Sequence, residues 1–257
     1  VEVWTWTNGV ENAIYSYLDL DQIRDKELST VPEPVKKKPP KLWKDISKGF
    51  GKSGTLVVWS KIDKCIWRTA GTIIKHSELL IGRMYRKFID NGKIKIRMVA
   101  FNKDDTKQFV EKYAVPNDPI YLMKKTSCHA PYNDKPMFIL YNEDTYPIKC
   151  HGKIHEVKIK LTYACEESRG GYNPGDKLHG KHASKNLGVS IVRAGRELDM
   201  DLSIVNSYDP TERWWGVEVE FPPALDDIFG VTNNKQSARY FSDVLKIDFA
   251  EYCKADN

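Results

Sequence analysis

Residues 229–241 read FGVTNNKQSARYF and set two adjacent amides, a lysine and a glutamine a few positions after Gly230. A lysine is a compact cation with three donors, suited to a terminal phosphate, and flanking amides can orient it or bind the same oxygens. Asn234, Lys235 and Gln236 are therefore candidates for a loop that carries a cation to a phosphate. Taken alone, such a tetrapeptide is more often a solvated turn. A second stretch, GFGKSGT at 49–55, has the glycines, lysine and hydroxyl of a phosphate loop. A Walker loop, however, joins a strand to a helix. This stretch leads into TLVVW, a compact β-rich run, so the Walker reading is rejected. H-E-x-x-H and G-x-S-x-G are absent as well.

Other chemistry-bearing residues are weaker candidates. Cys128-His129, Cys150-His151, His155 and Cys165 could supply soft ligands, but neither pair has the Cys-x-x-Cys spacing that grips one zinc ion. No metal site is assigned. Cys150 and Cys165 are expected as small core residues and those histidines as surface groups. Asp226-Asp227 and Glu166-Glu167 are expected to be solvated. Of Trp214-Trp215, one ring is expected in the core, with Trp214 on the other face or at an interface.

The elements that must position these residues follow from periodicity. Leu80, Met84 and Phe88 recur at helical spacing from about Lys75, and Asn91-Gly92 stops that helix. Ile94, Ile96 and Met98 then alternate with Lys95 and Arg97, as in a half-buried strand. Five prolines across 116–150 predict loops with short strands. IHEVKIKLTYA from 154 is a strand, and 167–186, rich in Gly, Asn and Lys, is a long loop. LGVSIVRAGREL at 187–198 predicts a strand, a turn at Ala194-Gly195 and a returning strand. RWWGVEVEF sets Trp215, Val217, Val219 and Phe221 against Gly216, Glu218 and Glu220. The sum is α+β, a mixed sheet with helices on one face.

Composition narrows the classes. With 257 residues, 41% apolar and 29% charged, the chain is an ordinary globular one. No apolar run approaches the roughly 20 residues a membrane helix needs. Five widely spaced cysteines fit reduced thiols and a cytoplasmic setting better than a disulfide framework. The formal charge is +5, and residues 33–52, with seven lysines against Glu33 and Asp45, carry an excess of that size. The basicity is local. The Pro/Lys/Gly-rich stretch 29–54 that contains it is expected to be a long flexible loop.

Taken in order, GKSGTLVVW at 51–59, the helix SELLIGRMYRKFI, GVSIVRAGREL and FGVTNNKQ resemble the GHKL ATPases, the gyrase B and MutL relatives, and most of all their MORC-type and MutL-like branch. The resemblance implies that 1–74 is the C-terminal edge of an ATP-binding α/β sandwich, with 29–54 as its lid. Residues 75–257 would be the transducer domain, a βαβ-type unit. Gly51, Gly54 and Thr55 match the element that ends the lid and would bind ATP with Asn234 and Gln236. Lys235 would be the catalytic lysine that reaches the γ-phosphate. ATP and Mg would be held by the larger protein, a homodimer acting in DNA-related work. The family's Mg-binding Asn, its Glu and its Asp-x-Gly-x-Gly loop have no counterpart here and are expected upstream of Val1, so this chain alone is expected not to hydrolyse ATP.

The rival class is a non-enzymatic module for nucleic acid or protein partners. Lys36, Lys37 and Lys38, with Lys177, Lys181 and Lys185, would then meet phosphates.

Overall fold

The computed structural model describes residues 1–232, Ser237 and Ala238. The fold is α+β, with antiparallel and mixed sheets and few, mostly short helices. Two compact units are present: Val1–Ile74 with Val99–Glu111, and Lys75–Met98 with the chain from Lys112 onward.

The first unit contains β1 (Glu2–Trp6), β2 (Ile14–Tyr17), α1 (Leu20–Arg24), β3 (Val35–Lys36), α2 (Lys41–Ile46) and β4 (Gly54–Val58). Its four strands pair in the order β3-β2-β1-β4. Trp4, Trp6 and Ala13 are its buried centre, with Tyr15, Phe50 and Leu56 packed against them. Gly54 lies opposite Trp6 in the ladder, and a Cβ there would stand 2.7 Å from the indole ring. That close approach requires glycine.

The basic stretch 29–54 is not a loop throughout. Lys36 pairs with Ile14, and Lys37 N donates to Ala13 O at 2.9 Å, so β3 extends the sheet. Pro40 caps α2, where a missing N–H costs nothing. Ile46 on α2 is buried. Repulsion between the lysines is offset because the Lys36 and Lys37 ammonium groups each have a local partner, Asn12 and the Tyr15 ring.

The chain continues through α3 (Ala70–Met84), α4 (Arg86–Asp90), β5 (Arg97–Phe101) and β6 (Gln108–Tyr113), the last two a paired ladder. The expected helix therefore begins earlier than Lys75. It is interrupted at Tyr85, which leaves helical dihedrals at φ −109° and ψ 12°. Gly92 stops α4 as expected, with φ 72°.

The second unit is built on β7 (Phe138–Cys150), β8 (Lys153–Ala164), α5 (Glu166–Arg169), α6 (Leu178–Ala183), β9 (Val189–Arg193), β10 (Arg196–Asp201) and β11 (Trp215–Phe221). Its sheet runs β10-β9-β11-β8-β7, antiparallel except for the parallel β9–β11 pair. The turn at Ala194-Gly195 stands as expected. Residues 138–150 form one strand of 13 residues where short strands were expected. Pro147 is tolerated because β7 is an edge strand.

One face of this sheet is apolar: Val189, Ile191, Leu198, Val219 and Phe221, closed by Leu225. The other face carries Ser190, Glu197 and Glu218, all buried. The alternation in β11 thus separates two covered faces rather than a core from solvent. The tryptophan expectation is reversed. Trp214 packs against the cluster around Tyr121, Tyr132 and Phe138, whereas Trp215 lines an open groove.

Candidate functional site

Asn234, Lys235 and Gln236 lie outside the described residues. Gly51 is exposed, and its carbonyl accepts from Trp6 Nε1 at 3.0 Å. Gly54 and Thr55 open β4, where the Thr55 and Thr5 hydroxyls share a 3.2 Å hydrogen bond. Lys36 donates to Asn12 Oδ1 at 3.0 Å, and Lys37 Nζ stands 3.8 Å from the Tyr15 ring centroid, a cation–π contact. Lys38 and Lys181 are exposed. Asp226 is not solvated: it takes a two-pronged hydrogen bond from Arg193 at 2.6 and 2.9 Å. The long 167–186 segment holds α5 and α6, and its histidines are buried.

Two polar networks run through the second unit. The first is ionic. Arg86, at the start of α4, donates to Glu197 Oε2 at 2.7 Å, Glu218 Oε2 at 2.5 Å, Ser190 Oγ at 2.8 Å and Arg83 O at 3.0 Å. Arg83 meets the second oxygen of Glu197, and Lys87 meets Glu218 and Glu220. Asp118 lies 3.7 Å from Arg86 Nε and accepts from the backbone of Leu122 and Met123. Burial opposes charge on Arg86, yet Glu197, Glu218 and Asp118 outweigh it and hold the guanidinium above its ordinary pKa. Burial also opposes charge on Glu218, and Arg86 and Lys87 overcome it, pulling its carboxyl below the usual range. For Asp118 burial prevails and raises the pKa. This network clamps helix residues to the sheet, and at its centre Arg86, Glu197 and Glu218 are buried.

The second network is neutral. Asn117 follows β6, where the backbone passes very close to α3: a Cβ on Gly82 would stand 2.3 Å from Val115 O. Asn117 Nδ2 donates to Leu79 O at 3.2 Å, and a carbonyl can only accept, so the amide's orientation is fixed. Asn117 Oδ1 then accepts from Asn186 Nδ2 at 2.7 Å. The same Asn186 nitrogen donates to Tyr121 Oη at 2.9 Å. Tyr121 in turn donates to His182 Nδ1 at 2.8 Å. With Tyr121 assigned as that donor, His182 carries its proton on Nε2, which then donates to Ser127 Oγ at 3.2 Å. This assignment leaves no side-chain donor or acceptor of Asn117, Asn186, Tyr121 and His182 in conflict with its partner. Burial, aided by His129 and Lys185, lowers the His182 pKa to about 4, so the ring stays neutral near pH 7. Burial holds the Tyr121 hydroxyl protonated and pushes the Cys128 thiol up to about 11, which removes it as a nucleophile.

This relay ends at a cleft of about 270 Å³. Leu79 and Val115 form apolar wall; Ser127, His129, His182 and Lys185 supply the polar side, with Glu78 at the rim. The Ser127–His182 spacing resembles a nucleophile and base, but the tautomer runs the wrong way. In the assigned tautomer Nε2 is a donor, and His182 is not arranged to take the Ser127 proton. The hydroxyl hydrogen of Ser127 is left for the cleft. A larger groove of about 540 Å³, lined by Tyr141, Leu161, Tyr163, Trp215 and Val217, offers no acid–base pair. Among the described residues no group of three or more His, Cys, Asp and Glu could hold a metal ion. No helix among them is long and apolar enough to cross a membrane.

No protein-family model matches the chain, and no curated protein matches it.

The relay and the ionic network were invisible to motif reading. Tyr121 and Ser127 lie 61 and 55 positions from His182. The one available signal was the pair His179 and His182, spaced to share a helix face. His179 is a packing residue: its Nε2 meets Ser168 O at 3.0 Å, and its ring lies against Tyr132 and Trp214.

Proposed function

We propose that this chain is the lid-side edge of the nucleotide domain and the transducer of a larger GHKL-type ATPase of the MORC and MutL-like branch. The observation that carries the reading is the open side of the first unit. β4 is an edge strand, and Val57 on it and Trp59 just after it are 52% and 70% exposed. Apolar side chains left open beside an unpaired edge suit a sandwich completed by further chain. The approach to β4 fits a phosphate. Gly51, Lys52 and Ser53 are exposed, and their backbone N–H groups have no hydrogen-bond partner among the described residues. Gly51, Gly54 and Thr55 would line the lid side of the phosphates, and Lys235, steadied by Asn234 and Gln236, would neutralise charge on the γ-phosphate. The second unit would be the βαβ-type transducer that passes the nucleotide state to a dimer partner and to DNA.

The test is steady-state ATP hydrolysis by the intact protein with Lys235→Ala. Loss of one such electrostatic contact should lower kcat by about 10²–10³-fold with little change in KM. An unchanged kcat rejects the reading. If Lys36, Lys37 and Lys38 changed together to Ala weaken DNA binding while Lys235→Ala leaves hydrolysis intact, the non-enzymatic nucleic-acid module takes its place.

A further inference from the structure

We infer that the cleft at the end of the His182 relay is a binding site for a small oxyanion, a phosphate monoester or a carboxylate, independent of the nucleotide reading above. Three donor side chains border it. The Ser127 hydroxyl receives its hydrogen bond from His182 Nε2, and its own hydrogen has no acceptor among the described residues. His129 and Lys185 line the same space, and both are exposed to solvent. The surrounding charge is positive. Lys95 sits over the ring of Tyr113, another lining residue, at 4.3 Å. Lys112 pairs with the only lining carboxylate, Glu78, at 2.6 Å and so cancels its charge.

The relay explains why Ser127 would serve as a donor. Had His182 presented a bare Nε2, the serine would turn its hydrogen inward to the ring. The carbonyl of Leu79, acting through two amides and one phenol, sets the tautomer that turns it outward. His182 is thus a positioning residue, and Ser127 and Lys185 are the binding residues. The apolar wall of Leu79 and Val115 would hold the carbon end of the ligand.

The experiment is isothermal titration of the intact chain with sodium phosphate and, separately, sodium acetate. Ionic strength is held constant with sodium chloride. The proposal expects saturable binding of at least one probe, and the tighter probe names the ligand class. Lys185→Gln, an exposed change that leaves the fold alone, and Ser127→Ala should each weaken binding roughly tenfold to a hundredfold, the worth of one hydrogen bond to a charged group. Nitrogen-15 spectra of the His182 ring should keep the Nε2–H tautomer in Lys185→Gln. No saturable binding of either probe, or equal binding by wild type and Lys185→Gln, overturns the inference. Neither outcome bears on hydrolysis of ATP.

Discussion

The ionic network around Arg86 and the neutral relay around His182 lie in the same unit and answer burial in opposite ways. Arg86 is 1% exposed, and four of its five N–H groups have acceptors, two of them on carboxylates that are themselves buried. Charge is kept because it is paired on several sides at once. His182 is 4% exposed, forms no ion pair with a carboxylate among the described residues and stays neutral near pH 7. The centre of the ionic network is buried. The relay is satisfied at every member up to Ser127 and leaves one hydrogen over, at the wall of a cleft. A charge cluster paired within the core fixes architecture, whereas a neutral relay with one unfilled end at a cleft can receive a ligand.

Breaking the ionic network should have the largest effect. Arg86→Met leaves Glu197 and Glu218 buried without their main partner and should cost about 3–5 kcal/mol, read from urea unfolding followed by tryptophan fluorescence. A loss under about 1 kcal/mol would mean that the cluster is open to water.

The relay should respond to pH instead. His182 has a folded pKa of about 4, below the ordinary histidine value near 6.5. Between these values the unfolded chain binds a proton that the folded chain refuses, so stability falls as pH falls from about 6.5 to 4. The loss should total roughly 3 kcal/mol. His182→Gln should flatten that part of the curve; identical slopes for variant and wild type would show that His182 is not the titrating group.

Tyr121→Phe removes one hydroxyl from the middle of the relay and should cost about 1–2 kcal/mol. It also sharpens the contrast, because without the phenol the ring can move its proton to Nδ1. Nitrogen-15 spectra of His182 should show that tautomer change, and an unaltered ring would show that Tyr121 does not set it. Lys112→Ala, which breaks the exposed Lys112–Glu78 pair at the rim, should cost no more than about 1 kcal/mol by the same unfolding assay. A loss above about 2 kcal/mol would place that pair with the Arg86 cluster.

Parts of the architecture were legible from local pattern. The stop at Asn91-Gly92, the hairpin around Ala194-Gly195 and the strands at β4, β8 and β11 follow from period and turn chemistry. Composition misled where proline, lysine or glycine looked like loop. Lys36 and Lys37 lie in or beside a strand, Pro147 sits in an edge strand, and the Gly/Lys-rich segment holds the buried His179 and His182. In each case a long-range contact outweighed local preference. Glu218 misled differently: alternation placed it correctly opposite Val217 and Val219, but period two cannot say whether the second face is wet.

The sequence by itself determined the α+β class, the location of the basic stretch, the helix stop at Asn91-Gly92 and the β9–β10 hairpin, because periods of 3.6 and 2 and the left-handed turn residues act over a few positions; the strand expected from Ile94 begins only at Arg97. Only the tertiary structure decided which polar side chains meet. Arg86 finds Glu197 and Glu218 from more than a hundred residues away, and His182 finds Tyr121 and Ser127 across more than fifty. Buried polar groups must find partners wherever the fold supplies them, and no local spacing encodes that choice.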